Sequence, residues 1–326
     1  MTEPKRVFSG MQPTGVAHLG NLIGAFNNWV SMQDDYQTIY CVVDLHAMSS
    51  PYDPVELSES RLRLAKMIIA AGVEPKRSLL YYQSEVPQHS ELYWIIGILA
   101  GIGQLQRMTQ FKEKSDKAGQ SFGLLAYPVL QAADILIHKA HAVPVGDDQT
   151  QHLELTRDLA ERFNARFGVV FPIPERITPK IGARVMSLQE PTVKMSKSDP
   201  NSKATVFLTD STDQIVKKIK SAVTDTGTEV AYDWEEKAGI SNLLEIFSHF
   251  SGRSIDELVA EYRAGGYGAF KVAVAEAVAD GIKPIRETYE SMSDEEVSRV
   301  MSDSAERARS SADETLAEVR EAVGLT

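Results

Sequence analysis

The chain reads as an α/β protein, a doubly wound parallel sheet with a C-terminal helical domain. Three observations carry that reading. Short apolar runs alternate with helical patterns of roughly 10–18 residues, the rhythm of βαβ units. The first run ends in glycine and proline and opens onto a helix, as strands do at ligand crevices in such sheets. After Pro200 the apolar pattern becomes wholly helical. A length of 326 residues accommodates two domains, with residues 1–205 expected to hold the sheet and residues 206–326 the helices.

The elements follow in order. Val7-Phe8-Ser9-Gly10 predicts a buried strand that ends in a turn at Pro13. Leu22, Phe26, Trp29 and Val30 recur at helical spacing, so His18 falls at a helix N-terminus. Ile39 to Val43 predicts a second strand, ending at Asp44-Leu45-His46. Leu64, Met67, Ile68 and Ala71 form one helix face, stopped by Gly72 and Pro75. Leu79 to Tyr82 reads as a third strand, and Glu91 to Arg107 as one mostly apolar helix. Ala142 to Val145 is a fourth strand, followed by a helix from Gln149 to Phe163 with Leu155, Leu159 and Phe163 on one face. Residues 212–223 predict an amphipathic helix, and beyond Trp234 the chain is helical, punctuated at Gly252, Gly265-Gly266 and Pro284. No internal repeat or low-complexity segment stands out.

Composition removes several function classes. Hydrophobic residues make up 43% and charged residues 24%, which suits a filled core and not a disordered chain. The single Cys41 excludes an internal disulfide and any multi-cysteine metal site. No signal-peptide pattern or membrane-length apolar run occurs, so a cytoplasmic protein is expected. A net charge of −11 argues against a general nucleic-acid binder. The charge is uneven, however: residues 176–220 carry 9 basic and 4 acidic side chains, residues 273–326 carry 6 and 13. A basic stretch in an acidic chain suits a local anion site, or simply a solvated surface.

Two segments carry chemistry. Gly10-Met11-Gln12-Pro13-Thr14-Gly15-Val16-Ala17-His18-Leu19-Gly20-Asn21 places glycines and a histidine where a strand becomes a helix. Glycine lets backbone approach a ligand, and a helix N-terminus offers N–H groups to phosphate. A capped helix with a satisfied histidine is the plain alternative. Lys194-Met195-Ser196-Lys197-Ser198 puts two lysines and two hydroxyls on a loop, a set suited to pyrophosphate as its charge grows. Its plain alternative is a flexible surface loop. Asp134 lies in the apolar run Leu130-Gln131-Ala132-Ala133-Asp134-Ile135-Leu136-Ile137, where an unpaired carboxylate is costly, so a partner such as Lys139 or a nearby cap is expected.

The His18-Leu19-Gly20-Asn21 and Lys194 to Ser198 segments resemble the two signatures of class I aminoacyl-tRNA synthetases. Arg107 to Lys114, Ala132 to Leu136, Pro144 to Gln149 and Ser221 to Asp225 narrow the resemblance to bacterial tryptophanyl-tRNA synthetases, in order along nearly the whole chain. The resemblance implies a Rossmann-like catalytic domain, a helical anticodon-binding domain, ATP with Mg²⁺, L-tryptophan and tRNA(Trp) as partners, and a homodimer. It implies that Asp134 accepts a hydrogen bond from the indole N–H, with Phe8, Gly10, Tyr127, Gln131 and Val145 around the ring. His46 and Gln149 would hold the amino acid's polar end. Gln12, Pro13, Thr14, Gly20, Asn21, Gly146, Asp147, Asp148 and Val185 would contact ATP. Met195, Ser196 and Ser198 would join them from the lysine loop, and His18, Lys114, Lys194 and Lys197 would face its phosphates as the catalytic set.

Two positions depart from the family pattern. Gln131 stands where many relatives have methionine, and it can bond to Asp134 or trim the pocket. Asn21 replaces the second histidine of the general signature. Tyrosyl-tRNA synthetase, a related nucleotidyltransferase and a non-catalytic paralogue are the competing readings. Asp147 and Asp148 can also be helix caps, and Phe8 and Tyr127 ordinary core.

Overall fold

The structure is a computed structural model and describes residues 4–112, 121–146, 149–177 and 185–326. Five parallel strands form one sheet in the order β3-β2-β1-β4-β5. β1 (Arg6–Met11) is central, with β2 (Gln37–Val42) and β3 (Leu79–Tyr82) on one side. β4 (Ala142–Pro144) and β5 (Glu175–Ile177) lie on the other. The sheet therefore winds one way from β1 to β3 and the other way from β4 to β5. The reversal between β1 and β4 opens a crevice beyond their carboxyl ends, where such sheets bind ligands.

Helices cover both faces. α1 (Leu19–Asn21), a π-helical turn (Leu22–Phe26) and α2 (Asn27–Met32) form one continuous rod after β1. α3 (Asp44–Ala47) follows β2, and α4 (Pro54–Ala70) leads towards β3. Asp53 caps α4 by accepting from the N–H groups of Val55 and Glu56, and Pro54 takes the first helical position, where its missing N–H costs nothing. The expected single helix from Glu91 to Arg107 is two, α5 (Gln88–Gly97) and α6 (Ile102–Gln106). Gly101 has extended backbone between them, and glycine gives up more entropy in a helix than any other residue. α7 (Phe122–Ile137) and α8 (Thr150–Phe167) complete this face.

The helical region comprises α9 (Thr212–Lys220), α10 (Ala238–Ser251), α11 (Ile255–Tyr262), α12 (Gly266–Ser291) and α13 (Asp294–Val323). Pro284 does not end α12; it lies on the exposed side, where water can take the hydrogen bond that its ring removes.

α13 returns to the sheet. Ala305, Ala308, Ala312, Leu316 and Val319 recur at helical spacing and pack into the core beneath α5, α7 and α8. Small residues let the helix approach the edge strand closely, and the Leu80 N–H of β3 donates to Ser304 Oγ at 2.8 Å. A sheet edge left bare invites pairing with another chain, and α13 covers this one.

Candidate active site

The first loop is held from two sides. The Ser60 hydroxyl donates to the Pro13 carbonyl at 2.7 Å, and Lys197 Nζ donates to the Thr14 carbonyl at 2.7 Å. Gly15 has φ +58°, a left-handed conformation that glycine adopts without strain, and the Lys197 stem lies over it. The chain then enters the helix at His18, whose Nδ1 accepts from the Gly20 N–H at 3.0 Å, while Asn21 Oδ1 accepts from the His18 N–H. A Cβ on Gly20 would lie 2.9 Å from His18 Cε1, so only glycine leaves the ring in place.

That cap also fixes the tautomer. With Nδ1 accepting, neutral His18 carries its proton on Nε2, which has no hydrogen-bond partner among the described residues. Burial, helped by the Lys197 and Lys194 charges, lowers its pKa to about 4. His18 is therefore a neutral donor across ordinary pH.

The lysine loop is fixed by bonds to the segments on either side of it, and the later segment reaches the helix start. Met195 N–H donates to the Val185 carbonyl, Thr205 Oγ1 donates to the Ser196 carbonyl, and Leu19 N–H donates to the Val206 carbonyl. Met195 is buried in the core while Lys194 stays exposed. One apolar anchor thus holds a segment whose composition alone suggests a free loop. Burial lowers the Lys197 pKa to about 8.

A cavity of about 990 Å³ opens beyond the ends of β1 and β4. Of the residues expected around an amino acid, Phe8, Gly10, His46, Tyr127, Gln131, Asp134, Val145 and Gln149 all line it, joined by Gln12 and Gly146. Gly24, Ala25 and Asn28, from the π-turn and α2, supply a further wall. Pro13, Thr14, Gly20, Asn21, Val185 and the lysine loop gather around His18 instead. Lys114, Asp147 and Asp148 lie outside the described residues.

At the cavity's inner end Asp134 is buried and accepts from three side chains. His46 Nε2 donates to Oδ2 at 2.8 Å; Gln83 Nε2 and His89 Nδ1 donate to Oδ1 at 2.6 and 2.7 Å. Burial alone raises a carboxyl pKa, but the bonds from His46 and His89 outweigh it and hold Asp134 well below the usual carboxylate range. Lys139 is not its partner; it pairs with Glu318 on α13. Nor is Gln131, whose amide points to Gln149 Oε1 at 3.5 Å.

Gln83 reveals the strength of this demand. Its amide nitrogen serves Asp134 while its Oε1 is buried without a partner among the described residues, a cost of about 1–3 kcal/mol. Flipping the amide would set oxygen against carboxylate. Gln83 and His89 were not legible as site residues, nor was His152, which bonds to Tyr127 and Gln149 on the cavity wall. The signal available was the apolar run around Asp134, which demands buried donors without saying where they come from.

This arrangement has known counterparts. Residues 1–281 match the family model described as class I tRNA synthetases (W and Y). A tryptophan–tRNA ligase of Caldanaerobacter subterraneus subsp. tengcongensis is 52% identical over 322 residues, covering 98% of each chain. The solved tryptophanyl-tRNA synthetase of Mycoplasma pneumoniae superposes with a TM-score of 0.89 at 33% identity, over 99% of this chain and 98% of that one. The Campylobacter jejuni synthetase, solved as a complex with ADP and tryptophan, gives a TM-score of 0.85 at 34% identity, over 98% of this chain and 99% of that one. The fold and site define a class I aminoacyl-tRNA synthetase, and within that class the chain belongs to the bacterial tryptophan–tRNA ligase family.

Proposed function

We propose that the chain activates L-tryptophan with ATP and transfers it to tRNA(Trp). The observation that carries this reading is Asp134, an ionised acceptor at the closed end of an aromatic-walled cavity beside two phosphate-suited segments. The indole N–H is a donor only, so it matches a carboxylate that cannot donate. A site built around such a bond rejects analogues lacking it by about 10⁴-fold or more.

The tryptophan carboxylate attacks the α-phosphorus of ATP in line, the bond to pyrophosphate breaks, and tryptophanyl-adenylate remains. The terminal ribose hydroxyl of tRNA then takes the acyl group and AMP leaves. His18 Nε2–H, Lys194 and Lys197 face the charge that grows on the phosphates, a role that the family resemblance extends to Lys114. Mg²⁺ would enter with the ATP phosphates, as part of the substrate.

Residues 1–205 supply catalysis and residues 206–326 the anticodon-binding surface in this reading. Trp94 on α5, Ile98 just after it, Ile102 on α6 and Phe122 at the start of α7 are exposed apolar side chains, and they supply the face of a homodimer. A cytoplasmic location follows from the same reading. Labelled-pyrophosphate exchange with each of the twenty amino acids tests it: tryptophan alone should support exchange, and tyrosine doing so better would overturn the assignment.

A further inference from the structure

A chain of buried hydrogen bonds runs behind Asp134, away from the cavity. His89 Nε2 lies 3.0 Å from the Tyr81 hydroxyl, and that hydroxyl lies 2.7 Å from His138 Nε2. His138 Nδ1 lies 3.4 Å from Ser311 Oγ on α13. Tyr81, His89 and His138 are fully buried, and none of the three lines the cavity.

One order of donors and acceptors satisfies every group in this chain. Ionised Asp134 accepts, so His89 donates from Nδ1. In this order the second ring nitrogen of His89, Nε2, accepts from the Tyr81 O–H. The Tyr81 oxygen then accepts from His138 Nε2–H, and His138 Nδ1 is left to accept from the Ser311 hydroxyl. Burial keeps His138 neutral, as this order needs. All four donors point towards the carboxylate.

We propose that Gln83 and the chain Ser311–His138–Tyr81–His89 position Asp134, locking Oδ1 permanently and leaving Oδ2 as the atom that reads the ligand. The division follows from position. The Oδ1 partners stand outside the cavity, whereas the Oδ2 partner, His46, lines it and can yield its bond to an incoming donor. The fixed donors also hold Asp134 ionised, so it cannot become a carboxylic acid that donates a proton to a ring lacking N–H. Tyr81 and His89 are thus positioning residues for specificity, acting through Asp134. This deepens the proposal that Asp134 accepts the indole N–H, and rests on it.

Two measurements test it on the full chain. Histidine ring ¹⁵N shifts, assigned with His89→Asn and His138→Asn, should show His89 protonated on Nδ1 and His138 on Nε2. The opposite tautomer at His89 overturns the proposal alone. Pyrophosphate exchange is then compared for tryptophan and for its analogue with sulfur in place of the ring N–H. Tyr81→Phe should raise the tryptophan KM by roughly 10- to 100-fold, the scale for disturbing a buried bond to a charged group, with ATP KM unchanged. Preference over the sulfur analogue should fall by a similar factor. His89→Asn, whose amide can still reach Asp134, should be milder than His89→Leu. Equal loss for both amino acids in a folded Tyr81→Phe protein contradicts the positioning role. Asp134→Asn leaving the preference intact overturns the underlying reading, and this proposal with it.

Discussion

Lys197 Nζ donates to the Thr14 carbonyl across 2.7 Å, so the lysine loop is tied directly to the first-strand loop. The ammonium that would meet pyrophosphate already sits at the mouth of the turn, with its stem over Gly15. Replacing Lys197 by Ala should lower kcat for adenylate formation by roughly 10²–10³, the scale for losing one transition-state donor. An effect confined to the tryptophan KM would contradict that role.

The same lysine sets an alkaline limit. Its pKa is lowered to about 8 by burial, so the cation is lost as pH rises through that value. In the free enzyme, kcat/KM for ATP should decline above about pH 8, and Lys197→Arg should remove that decline. His18, with its pKa lowered to about 4, stays neutral well below its usual range. No acid limb near pH 6.5 should therefore be traceable to it, which His18→Asn profiles can check.

Gly20→Ala should disturb catalysis by displacing the His18 ring. The new methyl would meet His18 Cε1 at 2.9 Å and Nδ1 at 3.1 Å, pushing the ring off its cap. A misplacement of about 1 Å can cost about 10²-fold in rate. Exchange kinetics at unchanged thermal stability would show it; a normal kcat would mean that the ring's position does not matter.

Ser304→Ala removes the acceptor for the buried Leu80 N–H. A stranded buried donor costs about 1–3 kcal/mol, so Tm should drop by several degrees. An unchanged Tm would show that the α13 contact does not secure the sheet edge.

The dimer face is tested by charge. Ile98→Asp, placed on a side chain 61% exposed, should leave the fold intact and shift sedimentation towards the monomer. Unchanged assembly would exclude the α5 surface.

The strand–helix alternation was legible because each buried strand leaves a continuous apolar run, as at Ile39 to Val43. β5 was not. It has three residues, Glu175-Arg176-Ile177, and prolines at 172 and 174 that read as loop. The residues gathered by β1 and α1 could be named because they are contiguous. The donors to Asp134 could not, since His46, Gln83 and His89 lie 88, 51 and 45 positions away and converge only in the fold. Met195 shows the same limit on a smaller scale: composition describes a loop, but not which of its side chains is sunk into the core.

The way α13 closes over β3 has a consequence for biogenesis. A nascent chain can assemble all five strands while that margin is still naked, because Ser304 and Leu316 emerge from the ribosome after them. Until then the partly made enzyme carries an adhesive border, the kind of surface that chaperones shield and neighbouring polysomes can zip together.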